Sequence, residues 1–333
     1  MGLFYLGIAA VTSFAIIQLV FKPKRFQWRG KTVLITGGSQ GIGFEIATLL
    51  REAGASLILV ARNQTKLDKA KDELESMAGE GFVRVISLDV SSAYEDVVQT
   101  FSDELAEEGI VVDAAIMNAG TSIAGEAREL PASEFERMMR VNYLGSVYPI
   151  KALLETSTFV ERGGRIAFVS SQAGQVAIWG YSAYGASKYA LRGFAEALSM
   201  ELGPSQDHIV SVCYPPDTDT PGFKEEERTK PELTRLLSDA TAVTTPRVVA
   251  QGMIQGIEEG RYHISVGLDG WLLANLCCGM SPIQHGGEVL QQVLVLSLAR
   301  FISIPYLVEF SMKIKGFLRK QKDKKTPSNR KRD

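Results

Sequence analysis

The stretch Thr32-Val33-Leu34-Ile35-Thr36-Gly37-Gly38-Ser39-Gln40-Gly41-Ile42-Gly43 decides how this chain folds. Thr32–Thr36 is a short β-branched run that reads as a strand. Ile42–Ala53 has helical periodicity and stops at Gly54. The glycines between them fall where a strand must turn tightly into a helix and where backbone must come close to a ligand. The helix start then offers unpaired N–H groups and the positive end of its dipole, an arrangement suited to a pyrophosphate. The spacing is G-x3-G-x-G rather than the G-x-G-x-x-G of the common dinucleotide fingerprint. Taken alone, it is compatible with a tight turn and nothing more. Between a strand and a helix it predicts a nucleotide site lined by Gly37, Ser39, Gln40, Gly41, Ile42 and Gly43.

Working outward, the same alternation continues. Ser56–Ala61, Phe82–Leu88, Val112–Met117, Arg165–Ser170 and Ile209–Tyr214 read as further strands. Lys66–Met77, Pro131–Phe159 and Tyr184–Leu202 read as helical stretches between them. Apolar strands separated by helices argue an α/β fold, a doubly wound parallel sheet covered on both faces. No solenoid-type repeat is present. One catalytic domain over residues 30–270 uses most of the 333 residues.

Composition limits the classes further. Hydrophobic residues are 45% and charged residues 22%, which excludes a disordered or collagen-like chain. Three cysteines cannot build a disulfide framework. The three histidines are isolated and no Cys/His spacing suggests a metal, so none is expected. The net charge of −2 hides an uneven layout: residues 313–333 carry ten Lys/Arg and two acids, or +8, leaving −10 for the rest. No nucleic-acid partner is expected.

The ends point to a membrane. Leu3–Phe21 is 19 residues without a charge, followed by Lys22, Lys24, Arg25, Arg29 and Lys31. About 20 apolar residues suffice to cross hydrocarbon, and the positive flank places the following domain in the cytosol. Residues 1–29 are therefore expected to be an N-terminal transmembrane anchor, with a cleaved signal peptide as the alternative. Residues 271–312 are apolar but interrupted by Arg300, Pro305 and Glu309. They are expected to form an interfacial or re-entrant membrane segment rather than a clean span, or else an amphipathic helix packed on the protein's own core. Residues 313–333 form a basic tail that suits anionic headgroups. Its end, Arg330-Lys331-Arg332-Asp333, faintly resembles a dibasic endoplasmic-reticulum retrieval signal.

Two stretches carry chemistry. Where an NAD site usually ends its second strand in an acid, this chain has Ala61-Arg62. A guanidinium matches a 2′-phosphate bidentately, so NADPH is expected over NADH. Further on, Tyr184 and Lys188 are separated by one helical turn and share a face. An ammonium beside a tyrosine lowers the phenol pKa and makes it a usable proton shuttle. Ser171 lies upstream at the carboxyl end of a strand, where open α/β sheets bind ligands.

These residues resemble the short-chain dehydrogenase/reductase family over about residues 30–270. The motifs fall in its order: Thr36-Gly37 with Gly41 and Gly43, then Asp89, Asn118-Ala119-Gly120, Asn142, Ser171, Tyr184 and Lys188. The resemblance implies that Asp89 and Val90 lie beside the adenine and that Asn118 supports the sheet next to the cofactor. It implies that Asn142 holds a water in a proton relay and that Ser171 orients a carbonyl. Tyr184 would protonate the developing alkoxide, and Lys188 would bind the nicotinamide ribose. Thr218 and Thr220 match the loop that meets the carboxamide, although Pro216 replaces the family's usual glycine there. The stretches Ser170–Gln175 and Pro215–Phe223, with the apolar ends, are similar to the branch that reduces the sphingoid ketone 3-ketodihydrosphingosine. That branch implies an endoplasmic-reticulum membrane enzyme whose substrate, a long-chain amphiphile, arrives through lipid. Pairing of two copies through the Tyr184 helix and the one before it is a family habit. The rivals are a reductase of another lipid ketone and a catalytically silent NADPH-binding scaffold.

Overall fold

The structure is a computed structural model that describes Thr12 and residues 25–238, 242–283 and 286–325. The expected N-terminal anchor, His285 and the Arg330–Asp333 signal lie outside the described residues.

The chain opens with β1 (Thr32–Thr36), the glycine turn and α1 (Gly41–Glu52). β2 (Ser56–Ala61), α2 (Gln64–Ser76), β3 (Val83–Ser87) and α3 (Tyr94–Phe101) follow. Then come β4 (Ala114–Met117), α4 (Ala132–Met138), α5 (Gly145–Glu155), β5 (Arg165–Val169), α6 (Ser182–Gln206) and β6 (Ile209–Tyr214). The carboxyl third holds α7 (Pro221–Thr229), α8 (Glu232–Ser238), α9 (Pro246–Glu258), β7 (His263–Ser265), α10 (Gly267–Leu276) and α11 (Gly286–Lys325). All seven strands pair in parallel, in the order β3-β2-β1-β4-β5-β6-β7. The doubly wound sheet is thus as expected, with a seventh strand added. The sequence hides β7 because it is three residues long and only Ile264 in it is buried.

Alternation along the strands divides the core. Val33 and Ile35 face one side of the sheet and Leu34 the other. On the first side lie Ile46 and Leu50 of α1 with Val249, Met253 and Ile257 of α9. Their spacing of three or four residues makes one buried stripe per helix. On the second side lie Phe101, Leu153, Leu191 and Leu198, from α3, α5 and α6. The body also extends further toward the amino end than residue 30. Trp28 is buried and donates through Nε1 to Glu258 at 2.8 Å.

The register brings Thr36, Met117 and Phe168 side by side. The residues that follow them therefore emerge together at the carboxyl edge. The chain reverses its winding between β1 and β4, and that switch point opens a crevice over this edge.

α11 departs from the expectation of an interrupted segment. It is one helix of 40 residues that runs through Pro305. A proline removes one backbone donor, a loss that helices in apolar surroundings accommodate. Glu309, the other apparent interruption, is paired with Lys313 at 2.8 Å one turn on. By length and composition, Gln291–Gln321 is long and apolar enough to cross a membrane, and little of its most apolar part is buried.

Candidate active site

The glycine turn is shaped by contacts that leave no room for side chains. Gly37 has φ +67°, a conformation that favours glycine. A Cβ on Gly43 would lie 2.4 Å from the Gly37 carbonyl and 2.5 Å from Asn118 Nδ2. The turn is tied to the strand beside it. Asn118 Nδ2 donates to the carbonyls of Thr36 at 3.1 Å and Gly37 at 3.2 Å. The Thr36 hydroxyl accepts from the amides of Asn118 and Ala119, both at 3.0 Å. Asn118 thus holds the two edges of the crevice together. Ser39, Gln40, Gly41 and Ile42 line the opening above it.

At the far end of the turn, Arg62 is largely exposed and lies 3.6 Å from Asp89. Burial pushes the Asp89 carboxyl up, but bonds from Ser91 and the charge of Arg62 outweigh it and hold it below its usual range. Val90 is buried beside it. Lys66, a residue the sequence reading passed over, lines the same end and donates to Gln40 Oε1 at 2.8 Å. Asn63 caps α2 by accepting from the Lys66 amide at 2.9 Å, which fixes where Lys66 starts. A cation three residues after a capping asparagine is the available signal.

The polar groups opposite the turn form a second network. Asn142 sits in a π-helical turn, Met139–Leu144, between α4 and α5. Such turns interrupt a helix to aim a side chain. Its Oδ1 accepts from the Thr121 amide at 2.8 Å. Its Nδ2 donates to the Thr121 carbonyl and to Ser187 Oγ, both at 2.9 Å. Ser187 donates in turn to the Tyr184 carbonyl at 2.7 Å. Asn142 therefore links the loop after β4 to the helix that carries Tyr184.

Ser171, Tyr184 and Lys188 converge at the carboxyl edge of β5. Ser171 Oγ accepts from the Ala173 amide at 3.1 Å. Lys188 is buried and donates through Nζ to the Val169 carbonyl at 2.9 Å. Its Nζ stands 5.8 Å from the centre of the Tyr184 ring. Burial lowers its pKa to about 8. Burial pushes the Tyr184 phenol up, a hydrogen bond with Ser171 opposes this, and Glu226 and Asp217 add to the rise. The lowering by Lys188 that the spacing suggested is not among these causes. Tyr184 is thus held protonated in this arrangement, which suits a proton donor.

The loop after β6 closes the site. Thr218 is buried and donates to the Pro216 carbonyl at 2.7 Å. Thr220 caps α7 by accepting from the Phe223 amide at 3.1 Å. Its Cγ2 would lie 3.2 Å from a Cβ on Gly41, so this loop meets the glycine turn. Among the described residues no group of His, Cys, Asp and Glu could hold a metal ion.

Gly37, residues 39–42, Arg62, Lys66, Asp89, Val90, Asn118, Ser171, Tyr184, Lys188, Thr218 and Thr220 line one cavity of about 1870 Å³, whereas Gly43 and the buried Asn142 are not on its wall. A small-molecule pocket commonly holds about 300–1,000 Å³, so this one has room for a dinucleotide and a second long ligand. The cavity runs from Gly37 past Tyr184 to α10 and to Leu296, Ile302, Tyr306 and Phe310 of α11. Tyr181 also lines it, whereas Trp179 does not, and the Trp179 Nε1 is buried without a hydrogen-bond partner. Arg192 of α6 holds the segment between α10 and α11. It donates to the carbonyls of Cys277 at 2.6 Å and Cys278 at 2.8 Å, and to Ser281 Oγ at 2.8 Å. The helix that carries Tyr184 and Lys188 is thereby bolted to the segment that follows α10. The glycine cradle, the helix start and the cations at Arg62 and Lys66 fit a dinucleotide.

Comparison with known proteins agrees with the geometry. Residues 31–231 match the family model for short chain dehydrogenase. The chain is 44% identical over 308 residues to the 3-ketodihydrosphingosine reductase of Bos taurus, covering 91% of each chain. It is 44% identical over 305 residues to the 3-dehydrosphinganine reductase of Danio rerio, again covering 91% of each. Among solved structures, an alcohol dehydrogenase from the archaeon Thermococcus sibiricus complexed with 5-hydroxy-NADP superimposes with a TM-score of 0.56 and 29% identity. That match covers 67% of this chain and 88% of the other. The chain belongs to the short-chain dehydrogenase/reductase family of oxidoreductases and is similar along nearly its whole length to 3-ketodihydrosphingosine reductases.

Proposed function

We propose that this chain reduces 3-ketodihydrosphingosine to dihydrosphingosine with NADPH at a membrane surface, as a step in sphingolipid synthesis. The observation that carries the reading is the single cavity that joins Tyr184 to the apolar face of α11. A polar reacting end and a long apolar run are what a sphingoid ketone requires. The name of the relatives supplies the substrate, and the cavity gives it a physical fit.

When bound, the reduced nicotinamide supplies the hydride. The protein's own residues do the rest. Tyr184 gives its proton to the ketone oxygen as charge develops there. Ser171 donates a hydrogen bond to the same oxygen, a preorganised stabilisation of the oxyanion. Lys188, with a pKa of about 8, can exchange a proton near neutral pH. Asn142 Oδ1 and Lys188 Nζ flank Gly120 from the same side, where a water would complete a path to solvent. Gly37, Ser39, Gln40, Gly41, Ile42 and Gly43 take the pyrophosphate, and Asp89 and Val90 the adenine. Arg62, supported by Lys66, takes the 2′-phosphate. Thr218 and Thr220 face the carboxamide.

The long helix and the basic residues after it support attachment to a membrane. Residues 22–31 are rich in cations after the apolar head, which supports a body on the cytosolic side of the endoplasmic reticulum. Pro215–Leu237 and α11 would then pass the substrate from the cytosolic leaflet to Tyr184. The test is a product assay with the purified full chain in liposomes with NADPH. Dihydrosphingosine should form with loss of NADPH absorbance. If the sphingoid ketone stays unreduced while a steroid, retinoid or 3-ketoacyl substrate is consumed, the reading is wrong.

A further inference from the structure

We propose that Asp217 receives the ammonium group of the substrate and so selects an α-amino ketone over a plain ketone. This rests on the substrate reading above. 3-Ketodihydrosphingosine carries its amine on the carbon next to the ketone. With the ketone oxygen on Tyr184 and Ser171, that amine must lie in the part of the cavity beside Tyr184. A protonated amine taken out of water there needs an anionic partner.

Elimination leaves one suitable acid. Asp89 lies at the other end of the cavity, with Arg62. Glu225 is paired with Arg228 at 2.9 Å on the outer surface of α7. Asp269 is exposed on α10. Glu226 is close, but it accepts the Tyr181 hydroxyl and lies 3.6 Å from the buried Lys230. Asp217 lines the cavity, and no ion pair or side-chain hydrogen bond engages its carboxylate among the described residues. Lys230, whose charge reaches it, is committed to Glu226 and Glu227.

Three further observations agree. Asp217 follows β6 at the same carboxyl edge that carries Ser171 after β5. The loop does not need the carboxylate for its shape, because the Asp217 backbone carbonyl accepts from the Thr244 amide at 2.8 Å. The negative charge of Asp217 is felt by the phenols of both Tyr184 and Tyr181, so it faces the reacting end. Burial also pushes its carboxyl up, opposed by Lys230 and helped by Glu226 and Glu227. A ligand cation would relieve that unfavourable burial. Pinning the amine would also choose which face of the ketone meets the nicotinamide.

The experiment compares the wild-type chain in liposomes on two substrates, 3-ketodihydrosphingosine and the same ketone lacking the amine. Wild type should prefer the amino ketone in kcat/KM. In Asp217→Asn that preference should shrink by about ten- to a hundred-fold, the worth of a hydrogen bond to a charged group, and KM should carry most of it. Asp217→Glu should restore part of the preference, and the Kd for NADPH should stay at the wild-type value in both variants. An unchanged preference in Asp217→Asn overturns the proposal. So does a wild type that reduces both ketones equally well, a result that does not depend on how the variants fold. A wild type that reduces neither ketone overturns the substrate reading itself, and this inference with it.

Discussion

Two regions of this chain are built on opposite terms. In the body, the side chains that shape the crevice around Tyr184 and the glycine turn are held by protein partners. Asn142 bonds the amide and carbonyl of Thr121 and the Ser187 hydroxyl, Asn118 bonds two carbonyls, and Lys188 is buried on the Val169 carbonyl. Precision there comes from polar satisfaction, since a buried donor or acceptor left without a partner costs about 1–3 kcal/mol. α11 has almost none of this. Leu294, Leu298, Phe301, Val308 and Met312 are half to three-quarters exposed. Their spacing of three, four or seven residues sets them along one face, while Leu296, Ile302, Tyr306 and Phe310 line the cavity on another. A helix that is apolar on two sides, with its own protein on only one of them, is suited to lipid on the other. The contrast teaches a division of labour: the body fixes atoms for a reaction, and the helix offers a continuous apolar surface to a chain.

The division is broken most directly at Tyr184. Tyr184→Phe removes one hydroxyl and leaves the ring packing with Tyr181, whose centroid is 5.7 Å away. Loss of a positioned proton donor costs about 10²–10⁴-fold in rate. We expect kcat to fall in that range, with NADPH affinity and membrane association unchanged. Retention of full cellular function by the variant would favour a silent scaffold over a reductase.

Arg62 tests a smaller effect within the body. It is exposed, so its worth lies in the ligand contact rather than in folding. Arg62→Asp should raise the KM for NADPH by about ten- to a hundred-fold, as expected for losing a charge-assisted bidentate contact. The KM for NADH should change far less. Equal changes for the two cofactors would remove the 2′-phosphate from its role.

The two regions also differed in how far the sequence could be read. The glycine turn, Asn118, Ser171, Tyr184 and Lys188 are local signals at fixed spacings, and the structure brings all of them to one sheet edge. The first six strands are apolar runs that announce themselves. β7 does not, because His263 and Ser265 flank a single buried isoleucine. The π-helical turn that aims Asn142 has no distinctive sequence. The surroundings of Asp217 arise from α7, β6 and α6 meeting in space, which no spacing encodes. In α11, Arg300, Pro305 and Glu309 look like breaks when counted along the chain, yet the helix is continuous through all three. In the helix, the proline lies in an apolar stretch and the glutamate finds Lys313 one turn away.

The smallest effect on chemistry, and the sharpest test of the contrast, comes from charging the outer face of α11. Leu294 and Phe301 are 67% and 72% exposed and do not line the cavity. Replacing both with glutamate adds two charges to a helix otherwise suited to hydrocarbon. Each acid at the centre of a membrane helix costs about 2.5–3.5 kcal/mol on insertion scales. Neither side chain touches the body's hydrogen-bond network, so thermal stability in detergent should hold. Flotation with liposomes should drop, while turnover of detergent-solubilised ketone should stay within about a factor of two, the range of surface changes of up to about 0.5 kcal/mol. Turnover of the same ketone presented in liposomes should fall further than turnover in detergent. If both assays fall together, α11 supports the body as a packed element and the two regions are not separable. If only the liposome assay falls, the helix acts by bringing the site to the lipid.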